Sequence, residues 1–120
     1  MSIEVPIDEL AETVERYDFA YVVTVSDSGR PHLVAVRPTV SGADLTVSVG
    51  RTSFANATTR PEITLVFPPV DEGGFSLVVD ATATSRNGST SESESGSDVG
   101  ATSGAMRLTA TWAVLHRPAP

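Results

Sequence analysis

Between Tyr21 and Leu65 the chain alternates short apolar runs with turn residues, a pattern that reads as strand, turn, strand, strand, loop, strand. Strands at 20–26 and 31–40 flank Asp27-Ser28-Gly29-Arg30, with glycine where a positive φ comes most easily. Ser41-Gly42-Ala43-Asp44 then turns the chain into a third strand at 45–50. The first hairpin, TVSDSGRPHLVAV, is apolar on both faces of both strands. Two apolar faces need two covers. The expectation is a barrel interior packed under a helix on one side and a partner subunit on the other.

Outside that region the elements are simpler. Ile7, Leu10, Ala11, Val14 and Tyr17 fall at helical spacing and form one apolar stripe, expected to pack on the sheet as a lid. Asp8 and Glu9 in the first turn and Arg16 in the last complement the helix dipole, and Pro6 suits the start. Residues 52–59 are small and polar and read as a loop or short helix crossing the sheet. A fourth strand at 63–67 stops at Pro68-Pro69, since proline cannot donate to a ladder. Gly73-Gly74 opens a fifth strand at 75–85, and a sixth runs over 106–115. Between these two, 87–104 is rich in Ser, Gly, Glu and Asp and has one large apolar residue, Val99. It buries too little to offset its ordering entropy and is expected to be mobile. One helix and six strands predict a mainly β, antiparallel barrel in a single domain of 120 residues.

Composition removes several function classes. With no cysteine there is no disulfide, thiolate metal site or cysteine nucleophile, which fits a reducing, cytoplasmic setting. The acidic start (Glu4, Asp8, Glu9) is unlike a secretory leader, and no apolar run reaches the ~18 residues of a membrane span. The net charge of −7 argues against a broad basic surface for nucleic acid, though one local basic pocket remains compatible with it. All 8 basic residues are arginine, a usage that fits genome composition and equally fits bidentate phosphate binding.

The residues with most chemical potential are Arg51, Thr52, Ser53 and Asn56. Arginine offers a planar fork of donors to a phosphate, and the Thr and Ser hydroxyls each add one more. Charge-assisted bonds contribute roughly 1.5–3 kcal/mol each, against about 8 kcal/mol for micromolar binding. The plain alternative is a polar loop with Asn56 capping a turn. Arg37 interrupts an apolar strand and has two readings, a salt bridge to Asp80 or a phosphate contact. Arg60, before Pro61, reads as a surface residue, and Trp112 as core or subunit interface. His32 and His116 lack carboxylate neighbours at metal spacing, so they read as structural or surface residues. Ser26, Ser28 and Ser53 have neither a Gly-x-Ser-x-Gly context nor an evident base.

The order of the initial helix, YVVTVSDSGRPHLVAVRP, LTVSVG and a Ser-x-x-Asn segment before Arg-Pro-x-x-x-Leu-x-Phe resembles the pyridoxamine 5′-phosphate oxidase-related proteins. The likeness covers about 7–83, with GRPH and 56–61 most alike. It implies a six-stranded split β-barrel and a homodimer with cofactor pockets at the subunit interface. FMN is the usual ligand, with the deazaflavin F420 or haem in some relatives. Carried over residue by residue, Arg51 and Ser53 meet the phosphate, Arg37 faces it from a neighbouring strand, and Asn56 braces the loop. Ser53 stands where relatives commonly have Lys. The function implied is an FMN-binding oxidoreductase of unknown substrate. The alternatives are a non-catalytic module that binds or senses flavin, F420 or haem, and a cofactor-free dimeric barrel.

Overall fold

The computed structural model describes residues 1–86 and 103–120. The chain forms β1 (Ser2–Glu4), a 3-10 turn (Ile7–Glu9), α1 (Leu10–Val14), β2 (Ala20–Val25), β3 (Pro31–Val36), β4 (Thr39–Ser41) and β5 (Asp44–Gly50). It continues with α2 (Arg51–Thr59), β6 (Glu62–Phe67), β7 (Ser76–Arg86) and β8 (Ser103–His116). Of the stretch at 87–104 expected to be mobile, 87–102 lies outside the described residues, and Ser103 and Gly104 belong to β8.

The described strands join in one antiparallel sheet, in the order β3-β2-β6-β7-β8-β5-β4, with β1 added to β8. This path has seven strands where the sequence suggested six. The extra one comes from Pro38, which has no N–H for a ladder and splits the run at 31–40 into β3 and β4. Those two strands are separated only by Arg37 and Pro38 yet occupy opposite ends of the hydrogen-bonded path. The sheet must therefore curl until its ends meet, and β3 approaches β5. The result is a mainly β, split barrel. Gly29 (φ 85) and Gly42 (φ 61) take the left-handed conformations their hairpin turns require.

Register sorts the side chains into an inner and an outer face, because directly opposed residues point the same way. One inner row runs Val34, Val22, Leu65, Val79, Ala113, and the last four are fully buried. Leu10 of α1 joins this core. Beyond α1, Tyr17 packs on Phe67 with ring centroids 5.8 Å apart, and its hydroxyl donates to the Phe75 carbonyl at 2.9 Å. Burial holds the Tyr17 hydroxyl above the usual phenol range, with Arg16 pulling the other way. Arg16 itself lies past the end of α1, because Glu15 and Arg16 close the helix in a tight turn.

Candidate functional site

The polar segment after β5 is a helix rather than a loop. Gly50 is extended and offers no side-chain cap, so the first N–H groups of α2 receive no capping bond from it. Arg51 and Thr52 in this first turn are exposed. Ser53, Asn56 and Ala57, spaced i, i+3 and i+4, form the face turned inward. The helix ends at Arg60, whose extended backbone suits a residue before Pro61 and whose N–H donates to the Asn56 carbonyl at 2.8 Å. The helix touches β2, β3, β5, β7 and β8, and so lies across the opening of the curled sheet.

Two contacts tie α2 to the first hairpin. The Asn56 amide Nδ2, on a residue 9% exposed, donates to Thr24 Oγ1 of β2 at 3.1 Å, and Thr24 is fully buried. At the other end, Arg60 Nη1 donates to Asp27 Oδ1 at 2.7 Å in solvent. Ser53 is 1% exposed, and its Oγ has no hydrogen-bond partner among the described residues.

Arg37 follows the end of β3 and is exposed. It borders a cavity of about 430 Å³ with Phe19, Tyr21, Ala35 and Val36, in which the Phe19 and Tyr21 rings meet edge to face at 5.2 Å. Arg37 does not pair with Asp80. Asp80 lies on β7, with β2 and β6 between it and β3, and its carboxylate accepts from Thr64 Oγ1 at 3.0 Å. Arg37 precedes by two residues Thr39, which pairs with Thr46 on β5. Arg51 follows Thr46 along the same direction, so both arginines stand toward the α2 end of that wall. Neither guanidinium has a hydrogen bond or ion pair among the described residues.

The structure thus brings Arg51 and Thr52 together at the start of α2 and places Arg37 toward the same end. It turns Ser53 and Asn56 into the interior, away from a ligand approaching from solvent. Exposed donors around an open helix start suit a phosphate group. Thr24, Phe19 and Tyr21 are the neighbours that sequence reasoning missed. The one available signal was Thr24 itself, a hydroxyl inside the apolar run YVVTV. Trp112 is 42% exposed on the outer face and does not fill the core of this chain. His32 lies opposite Thr24 on β3 and is half-buried. A second cavity, of about 490 Å³, lies beside Ser76 and His116. Its arginine, Arg117, is already engaged, 4.4 Å above the Phe75 ring and donating to the Gly73 carbonyl.

No protein-family model matches the sequence. An uncharacterized protein of Mycobacterium bovis and another of Mycobacterium tuberculosis are each 40% identical over 91 residues, spanning 67% of this chain and 63% of theirs. Solved structures resemble it more completely. An F420 reductase superposes with a TM-score of 0.66 at 17% identity, covering 88% of this chain and 94% of that one. A Clostridium acetobutylicum protein of the pyridoxinephosphate oxidase family gives 0.65 at 18% identity, covering 94% and 91%. A Vibrio cholerae heme storage protein gives 0.61 at 15% identity, covering 88% and 90%. None of the described helices is long and apolar enough to cross a membrane. The chain has the split β-barrel fold of the pyridoxamine 5′-phosphate oxidase-related proteins.

Proposed function

We propose that the protein is a homodimeric flavin-dependent oxidoreductase that holds FMN by its phosphate at the α2 end of the barrel. The observation that carries this reading is the placement of Arg37, Arg51 and Thr52. Arg51 and Thr52 are exposed donors in the first turn of α2 and Arg37 is an exposed donor just past β3, on a fold shared with an F420 reductase and a pyridoxinephosphate oxidase family protein. Arg51, Thr52 and the first N–H groups of α2 would hold the phosphate, with Arg37 adding a further guanidinium. Ser53 and Asn56 support this turn from inside. When bound, FMN supplies the redox chemistry, so the chain needs no acid or base of its own. Its residues would bind the cofactor and orient it.

The dimer rests on the outer face. A cross-strand row of Ala35, Tyr21, Val66 and Val78 is apolar, and the next row, Leu33, Val23, Thr64, Asp80 and Trp112, is apolar at its ends and polar at Thr64 and Asp80. Tyr21 is 39% and Leu33 55% exposed in the single chain. The apolar row next to the Phe19–Tyr21 cavity fits a second copy covering both that row and the cofactor.

The test is an absorption spectrum of freshly purified protein, followed by FMN and F420 titrations. A flavin band in the visible or saturable micromolar FMN binding is expected; a colourless protein that binds neither overturns the reading. Arg37→Ala and Arg51→Ala should each raise the FMN Kd about tenfold through loss of one charged contact. Unchanged affinity in both variants removes the site assignment. A second reading, a binding module without turnover, is favoured by the heme storage protein of the same fold. Reduction of the bound cofactor by NAD(P)H and transfer to an acceptor separates the two.

A further inference from the structure

The inward face of α2 is unusual for a packed helix. Of its three buried residues, Ser53 and Asn56 are polar and only Ala57 is apolar. Ala57 and the half-buried Phe54 give the helix apolar contact with the core, but such contact is non-directional and does not by itself fix both where the helix stands and how it is rotated. A hydrogen bond does both. The inner surface of the first hairpin is apolar at Ala20, Val22 and Val36 but polar at Thr24, where α2 approaches β2. Thr24 Oγ1 accepts the Asn56 amide there at 3.1 Å. Asn56 stands one helical turn beyond Thr52, so a rotation of α2 about Asn56 swings the turn that carries Arg51 and Thr52.

We infer that Thr24 is a positioning residue: its buried hydrogen bond from Asn56 sets where the first turn of α2 stands on the barrel, and thereby the cofactor affinity of that turn. The affinity half of this inference rests on the function proposed above; the helix-positioning half does not. Thr24 is fully buried and is not among the exposed donors of the site. It acts through a residue 32 positions away in the chain.

Thr24→Val keeps the shape and removes the acceptor, while Thr24→Ser keeps the acceptor. Amide hydrogen exchange on the whole, ligand-free protein reads the helix directly. In Thr24→Val the α2 amides should exchange about tenfold faster, with β6 and β7 unchanged, and Thr24→Ser should restore wild-type rates. FMN titration of the same proteins should show Kd raised about tenfold in Thr24→Val and restored in Thr24→Ser. Unchanged α2 exchange, or exchange accelerated evenly over the sheet, overturns the inference whatever the cofactor result. Loosened α2 exchange with unchanged FMN affinity overturns the link from helix position to the site. If the wild type binds no FMN, the proposed function fails, and the exchange data alone decide whether Thr24 positions α2.

Discussion

The two faces of β2 are similarly apolar in sequence and end in opposite situations. Ala20, Val22 and Thr24 point inward and are fully buried, whereas Tyr21 on the other face is 39% exposed. The inner row through Val22 and Leu65 is closed by β7, β8 and the curl of the sheet, while the outer row through Tyr21 and Val66 is left partly exposed among the described residues, with Phe19 against the Tyr21 ring. Apolar composition creates a demand for burial, but the direction of curl decides which face the chain covers by itself. What remains exposed is the surface on which the proposed dimer rests, and Arg37 stands beside it.

The largest expected effect breaks the inner face. Leu65→Ala should cost about 2–5 kcal/mol of unfolding free energy in denaturant titrations, because it leaves a cavity in a closed row. Leu33→Ala, on the outer face, should change the stability of the isolated chain by under about 0.5 kcal/mol. Comparable losses from the two variants would mean that the faces are not distinct. Leu33→Asp should instead act on the proposed association, weakening that dimer by roughly 2 kcal/mol or more in sedimentation experiments. A dimer indifferent to that charge would place the interface elsewhere.

Smaller effects sharpen the picture at the edges. Tyr17→Phe removes the donor to the Phe75 carbonyl and should cost about 1 kcal/mol. Burial raises the Tyr17 ionisation above its ordinary value of 10.0 in the folded state. The folded protein therefore holds that proton more tightly than the unfolded chain. The corresponding stability is complete below pH 10.0 and is lost as pH rises through the raised value, a decline that Tyr17→Phe should lack. Arg60→Ala should be smallest, within about 1 kcal/mol and shrinking with salt, because the Arg60–Asp27 pair lies in solvent. A large loss there would mean that the outer tie of α2 matters as much as the inner one.

Much of the barrel was legible in the chain. The turns at Gly29 and Gly42, the stop at Pro68-Pro69 and the apolar stripe through Leu10 act through local backbone geometry and periodicity, which sequence displays directly. Pro38 was legible too, yet the run at 31–40 reads as one strand unless the missing N–H is counted. The candidate site was less so. Arg51 and Thr52 were identifiable by residue type, but whether Ser53 faces a ligand or the core depends on which side of α2 meets the sheet.

The sequence by itself determined the hairpins, the breaks between strands and the presence of two apolar faces, because these follow from side-chain size, proline, glycine and periods of two or 3.6 residues. Only the tertiary structure decided that Asn56 meets Thr24, that Asp80 stays with Thr64 and that Arg37 keeps no partner among the described residues. Those outcomes depend on strand order and curl. Both are set by the packing of the whole sheet at once, and no local stretch of chain encodes them.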